Sequence, residues 1–75
     1  MTVTLYSKPQ CPQCDMSVKL LVKEGITFAK IDVTTDAEAY ERVKALGYLQ
    51  APVLVTADGN HWGGFKPERI RALKG

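Results

Sequence analysis

The chain has 75 residues, which predicts one small domain covering 1–75. Hydrophobic residues make up 45% and charged residues 24%, as in a folded soluble protein, and a domain this small has no room for a large cofactor cavity beside its core. The formal net charge of +2 is too small to indicate nucleic-acid binding.

Neither the pattern of a membrane span nor that of a signal peptide is found in the sequence. No apolar run approaches the ~20 residues of a membrane span, and MTVTLYS enters a strand pattern without the basic and apolar regions of a signal peptide. Small secreted domains usually carry several disulfides, whereas this chain has two cysteines. We therefore expect a cytoplasmic protein with neither a membrane nor a nucleic acid as its partner.

The first predicted elements are a strand, a helix and a second strand. TVTLY alternates polar and apolar residues, which indicates a strand. Pro12 stands where the next helix should begin, because proline at the first helical position loses no hydrogen bond. Helical spacing predicts a buried stripe of Cys14, Val18, Leu21 and Val22. Gly25 ends this helix, and ITFAKIDV is the second strand.

The second half predicts a helix, a hairpin and a final helix. TDAE, from Thr35 to Glu38, fits a capping box with Thr35 as the N-cap. The inner face of that helix is predicted to carry Ala39, Val43 and Leu46, and Gly47 ends it. PVLV is a buried strand, ADGN a turn and HWGGF the returning strand. Pro67 opens the last helix, with Ile70 and Leu73 facing inward.

The element order is therefore β-α-β-α-β-β-α. The first β-α-β unit joins parallel strands by a right-handed crossover, and the last two strands form an antiparallel hairpin. The prediction is an α/β fold with a four-stranded mixed sheet and three helices.

Basic residues are concentrated near the C-terminus. Lys66, Arg69, Arg71 and Lys74 follow Asn60 with one acidic residue, Glu68, among them. A solvated helix face is favoured over a docking surface for this charge.

The two cysteines, Cys11 and Cys14, are separated by two residues at the predicted start of the first helix. Free N–H groups and the helix dipole favour a thiolate at Cys11, and helix N-termini and CxxC motifs lower a cysteine pKa from about 8.5 to about 3.5–7.5. Lys8 adds positive potential. Cys14 lies one turn further on the buried stripe. We expect Cys11 to attack a disulfide and Cys14 to resolve the mixed disulfide.

Two other interpretations of the pair stay open. Structural zinc needs four ligands, and His61 is the single histidine, so a metal or iron–sulfur carrier would require a dimer that shares two CxxC pairs. A structural disulfide would close a very short loop, where the entropic gain is smallest.

The segments SKPQCPQC, LGYLQAPVLV and HWGGFKPERI together resemble an NrdH-redoxin, a glutaredoxin-like protein with a minimal thioredoxin fold. The resemblance covers essentially the whole chain. It implies a monomeric thiol–disulfide oxidoreductase with no bound cofactor, reduced by thioredoxin reductase and ultimately by NADPH. It also implies electron donation to the disulfide of the class Ib ribonucleotide reductase large subunit.

The resemblance also implies roles for individual residues. Cys11 and Cys14 are the redox pair, supported by Lys8, Pro12 and Gln13. Pro52 is expected in the cis form, with the Ala51 backbone facing Cys11. Partner binding is implied for Ala51, Trp62, Gly64, Phe65, Lys66 and Pro67. From the residues alone, Trp62 and Phe65 fit a core role as well as a docking role.

Several residues depart from the family pattern. Pro12 stands where valine or methionine is common, as in glutaredoxins, and Gly63 replaces a serine. Lys66 and Glu68 replace arginine and aspartate, so bidentate geometry is lost at Lys66.

A glutathione-coupled glutaredoxin is the nearest alternative. CPxC and Lys8 favour it. Against it, Ala51 precedes Pro52 without the Thr-Val common in glutaredoxins, and FKPER replaces their acidic glutathione-binding segment.

Overall fold

The computed structural model describes residues 3–73, so Thr2 and Lys74, which belong to the predicted first strand and the basic C-terminal group, lie outside the described residues. The described elements follow the predicted order. They are β1 (Val3–Ser7), α1 (Pro12–Lys23), β2 (Phe28–Asp32), α2 (Ala37–Ala45), β3 (Val53–Thr56), β4 (His61–Gly63) and α3 (Pro67–Ala72).

The strands form one mixed sheet in the order β2-β1-β3-β4. β1 runs parallel to β2, as the crossover through α1 requires. β1 runs antiparallel to β3, with Leu5 opposite Leu54, and β3 runs antiparallel to β4, with Leu54 opposite Trp62. The predicted α/β fold with a four-stranded mixed sheet is therefore confirmed.

A hydrophobic cluster covers each face of the sheet, because successive strand residues point to opposite faces. The larger cluster holds α1 and α3 against the sheet and contains Val3, Leu5, Leu20, Leu21, Leu54, Trp62 and Ile70. The smaller cluster holds α2 against the other face and contains Tyr6, Ala39, Val43 and Val53. The sheet is therefore covered on both faces, and the chain leaves it after Ser7, the last residue of β1.

The buried stripe of α1 differs from the prediction. Cys14 and Leu21 are buried as expected, but Val22 is 65% exposed and Ser17 is fully buried. Ser17 is tolerated there because its hydroxyl donates to the Gln13 carbonyl oxygen at 2.9 Å, which satisfies the buried group. The Val22 prediction was wrong because the stripe turns through Ser17 and Leu20 instead.

The start and end of α2 also differ from the prediction. The N-cap is Asp36, whose carboxylate accepts the Ala39 N–H at 3.0 Å, and not Thr35. Thr35 instead directs its hydroxyl to the Asp32 carbonyl oxygen at 3.3 Å. Leu46 is 36% exposed because the helix has ended there and the chain turns at Gly47, which has φ +96°.

The hairpin between β3 and β4 is closed by side-chain hydrogen bonds to Asp58. The Thr56 hydroxyl donates to its carboxylate, and the Asn60 backbone N–H donates at 3.3 Å. These bonds lower the pKa of Asp58 below its usual value, and the bond from Thr56 has the largest effect. The ADGN turn prediction is confirmed, since β3 and β4 pair on either side of it.

The final helix, α3, begins at Pro67 as predicted, and Ile70 is fully buried. The described helices contain 12, 9 and 6 residues, and none of them is both long and apolar enough to cross a membrane.

Candidate redox site

Cys11 is the N-cap residue of α1. Its backbone is extended, with φ −121° and ψ 97°, and its Sγ accepts the N–H of Cys14 at 3.2 Å. Pro12 occupies the first helical position, as predicted, and is exposed. The sulfur of Cys11 therefore occupies the place that a serine or aspartate oxygen takes in ordinary helix caps.

Cys11 and Cys14 form a disulfide, with 5.2 Å between their Cα atoms. Cys11 is 6% exposed and Cys14 is 2% exposed, so both are buried in this oxidised state. The burial of Cys14 agrees with its predicted place on the inner stripe. The difference between the two sulfurs lies in their surroundings, because Sγ of Cys11 accepts a backbone N–H and faces the loop before β3.

That loop reaches the disulfide through Ala51 and Pro52. The Ala51–Pro52 peptide bond is cis, as the resemblance implies. The Ala51 carbonyl oxygen lies 3.9 Å from Sγ of Cys11. The Pro52 carbonyl oxygen accepts the Gly64 N–H at 2.8 Å. The loop is thus in contact with the sulfur on one side and with the end of β4 on the other.

Gln13, one of the two residues between the cysteines, joins α1 to the segment after β4. Its Oε1 accepts the Phe65 backbone N–H at 3.1 Å. The same oxygen lies 3.4 Å from the place that a Cβ on Gly64 would occupy, and Gly64 has φ +82°. A left-handed glycine here lets the chain turn toward Gln13 without a side chain in the way.

Two grooves flank residues 47–51. One has a volume of about 640 Å³ and runs from Gln13 past the β4 strand to Lys66 and Arg69. The other has a volume of about 260 Å³ and is lined by side chains of β1, α2 and β3, by residues 48–51 and by Lys8, Val33 and Thr34. The exposed Leu49 lies on the shared wall, and its side chain is 87% exposed.

The predicted partner-binding residues are close together in the structure but differ in exposure. Ala51, Gly64, Phe65 and Pro67 are half-buried, and Lys66 is exposed. Trp62 is only 4% exposed and packs in the larger core cluster. Its position therefore corresponds to the core role and not to the docking role. Phe65 packs against the same cluster.

Comparisons with known proteins assign the chain to a family. The glutaredoxin family profile matches residues 3–62. The glutaredoxin-like protein NrdH of Escherichia coli strain K12 is 34% identical over 97% of this chain and 89% of its own length. That of Lactococcus lactis subsp. cremoris is 38% identical over 95% of this chain and 97% of its own length. The solved structure of the E. coli NrdH-redoxin superposes with a TM-score of 0.91 at 34% identity, covering 97% of this chain and 95% of that one.

The chain belongs to the glutaredoxin-like NrdH-redoxins. Like them it is a thiol–disulfide oxidoreductase with a CxxC pair, here Cys11 and Cys14.

Two residues around this NrdH-redoxin site, Gln10 and Tyr48, were given no role from the sequence, and His61 was considered only as a metal ligand. Gln10, just before the N-cap, has φ +56°, which is uncommon for a residue other than glycine. Tyr48 and His61 share a hydrogen bond of 2.7 Å between the hydroxyl and Nδ1, and both line the larger groove. The family segment LGYLQAPVLV contains both Tyr48 and the cis-proline, and this proximity in sequence was the available signal for Tyr48. Nothing local marks Gln10.

Residues 3–73 contain no group of three or more His, Cys, Asp or Glu side chains placed to hold a metal ion. A metal site built on this NrdH-redoxin pair would take its remaining ligands from elsewhere.

Proposed function

We propose that the chain is a cytoplasmic, monomeric dithiol electron carrier, reduced by thioredoxin reductase with NADPH as the electron source. Its electrons pass to the disulfide of the class Ib ribonucleotide reductase large subunit. The observation that carries the proposal is the environment of Cys11, whose sulfur caps α1 and accepts the Cys14 N–H at 3.2 Å. In the reduced state the same donor and the helix dipole stabilise a thiolate at Cys11.

The exchange proceeds in two steps. The Cys11 thiolate attacks one sulfur of the target disulfide, forms a mixed disulfide and releases the other target sulfur as a thiolate. Cys14 then loses its proton and attacks Sγ of Cys11, which releases the second target thiolate. The chain ends with the Cys11–Cys14 disulfide, and the target gains two electrons and two protons as a dithiol. Cys14 suits the second step because it is held one turn from Cys11.

The proposed partners rest on the relatives. The E. coli NrdH-redoxin is described as having a thioredoxin-like activity profile. We assign partner contact to the half-buried residues Ala51, Gly64, Phe65 and Pro67 and to the exposed Lys66 around the disulfide, with Trp62 supporting them from the core. Lys8, Pro12, Gln13 and Pro52 support the pair itself.

NADPH oxidation tests the electron donor. The chain is mixed with a disulfide substrate and NADPH, and either thioredoxin reductase or glutathione with its reductase is added. We expect turnover with thioredoxin reductase and none when Cys11→Ser replaces the native chain. Turnover only with glutathione and its reductase would contradict the proposal and would favour a glutathione-coupled glutaredoxin, which Pro12 and the glutaredoxin profile match support.

A trapping experiment tests the roles of the two cysteines. Cys14→Ser should accumulate a mixed disulfide between Cys11 and ribonucleotide reductase, because the resolving step is lost. Cys11→Ser is the matched control, and it should trap nothing. A mixed disulfide at Cys14 in that control would reverse the assignment. Non-reducing electrophoresis with mass spectrometry identifies the linked cysteine.

A further inference from the structure

The larger groove carries positive charge that the exchange chemistry does not use. Lys66 and Arg69 line it, and both side chains are exposed. Among its described lining residues none is Asp or Glu. The salt bridge found among residues 3–73 is Glu38–Arg42, on α2, so neither groove cation is neutralised by an ion pair within that range.

The two cations are held at the groove by the fold. Arg69 lies over the Trp62 ring, with 5.0 Å between its Cζ and the ring centroid. Lys66 is the N-cap residue of α3, but its side chain makes no capping hydrogen bond and is left for other contacts. Glu68, the acidic residue between them in sequence, is not among the groove-lining residues.

The groove is continuous with the redox pair. Gln13 and Ala51 line it, and the Ala51 carbonyl oxygen is 3.9 Å from Sγ of Cys11. Its volume of about 640 Å³ is in the range of about 300–1,000 Å³ found for ligand sites, yet it is open to solvent and residues 47–51 line it. Such a trough fits an extended chain that enters from the disulfide, with the exposed Leu49 at its edge.

We infer that this groove selects protein disulfides whose reactive cysteine lies in an extended segment with Asp or Glu close to that cysteine in sequence. The inference rests on the proposed exchange function and names the class of substrate it prefers. The acidic side chains contact Lys66 and Arg69 while the target sulfur lies at Cys11. Of the basic C-terminal residues, these two act in docking, whereas Arg71 does not line the groove.

Synthetic peptides with one internal disulfide test the inference. Three peptides differ only in flanking residues, which are Glu, Gln or Lys, and the rate of oxidation of the reduced chain is measured. Exposed ion pairs each change an equilibrium constant by about one- to fivefold, so the Glu peptide should react about fivefold faster than the Lys peptide. The preference should shrink between low and high salt, since salt screens exposed charges.

Charge variants test whether Lys66 and Arg69 cause the preference for the Glu peptide. The double variant Lys66→Glu/Arg69→Glu should reverse it, and Lys66→Gln/Arg69→Gln should remove it. The control Lys19→Glu/Lys23→Glu makes the same change in net charge on exposed residues of α1 that line neither groove, and it should keep the preference. Equal rates with the Glu and Lys peptides, or an equal loss in the control, would overturn the inference.

A neutral small disulfide separates this result from failure of the exchange itself. 4,4′-Dithiodipyridine carries no charge and is too small to fill the groove, so the native chain and the Lys19→Glu/Lys23→Glu control should reduce it at the same rate. Each peptide rate of a Lys66 and Arg69 variant is divided by that variant's own rate with this reagent, so that only the charge preference is compared. A native chain that reduces neither this reagent nor any peptide would refute the exchange function. A chain that reduces the reagent without a charge preference among the peptides would refute only the groove inference.

Discussion

The ring of Tyr48 lies against the backbone of Gly63, in the wall of the larger groove. A Cβ added to Gly63 would be 2.9 Å from Cδ1 of Tyr48, closer than side chains approach one another. Tyr48 is also fixed by its hydrogen bond to His61, so the ring is not free to turn away. The serine common in the family at this place therefore does not fit beside Tyr48, and the two residues form a matched pair.

Gly63→Ser should consequently destabilise the chain. Overpacking a fitted contact costs about 1–3 kcal/mol, and we expect a loss in that range in urea unfolding. The matched background is Tyr48→Ala, which removes the ring; there the same serine should cost less than half as much. Equal costs in both backgrounds would show that the ring is not the obstacle.

At the residue scale, the sequence predicts which residues carry the chemistry better than it predicts which residues contact one another. Cys11 as N-cap and Pro12 as first helical residue follow from the spacing of the motif and from proline geometry. The hydrogen bond from Phe65 to Gln13 joins residues 52 apart, and no local pattern specifies it. Tyr48 and His61 are likewise brought together only when β4 pairs with β3.

At the element scale the start of α2 is the informative case. TDAE allows either Thr35 or Asp36 to cap, because both side chains accept hydrogen bonds at helix starts. The chain chooses Asp36, since the Thr35 backbone N–H and hydroxyl are both directed to the Asp32 carbonyl oxygen at the end of β2. The turn that follows β2 begins at Asp32, outside the four-residue motif, and it decides the cap.

The loss of stability at the start of α2 should therefore differ between substitutions of Asp36 and of Thr35. Asp36→Ala should lower the free energy of unfolding by about 1 kcal/mol, because the Ala39 N–H loses its acceptor. Thr35→Ala, the matched control, should cost less, since its hydroxyl makes one exposed bond. Denaturant unfolding of both variants measures the difference. A larger loss for Thr35→Ala would restore the capping box predicted from the sequence.

Helix faces were predicted well at their centres and poorly at their edges. Cys14, Leu21, Ala39 and Val43 are buried as their spacing indicates. Val22 and Leu46 are exposed although they are apolar. Hydrophobicity alone does not fix the rotation of a short helix on its sheet, and a small buried serine can replace an apolar residue when its hydroxyl is satisfied.

At the scale of the whole molecule the larger core cluster joins α1, α3 and three strands. A domain of this length has a total stability of about 4–11 kcal/mol, so one core residue is a large part of it. Ile70 is the buried residue of α3, the shortest helix, and it anchors that helix to the sheet. The position of α3 in turn sets where Lys66 and Arg69 lie.

Ile70→Ala should cost about 2–5 kcal/mol, the range for removing a buried isoleucine side chain. Val22→Ala is the matched control, because Val22 is apolar but 65% exposed, and its cost should stay within about 0.5 kcal/mol. Circular dichroism during urea unfolding measures both. A comparable loss in Val22→Ala would place that residue in the core after all.

The burial of Trp62 has a practical consequence. It is the single tryptophan of the chain, its indole N–H has no hydrogen-bond partner within the described residues, and Arg69 covers its ring at the groove. Intrinsic fluorescence excited at the indole band therefore reports on one site. An anionic segment that draws Arg69 away from the ring changes the electric field at the indole, so native emission alone can follow the binding and release of a target without any label.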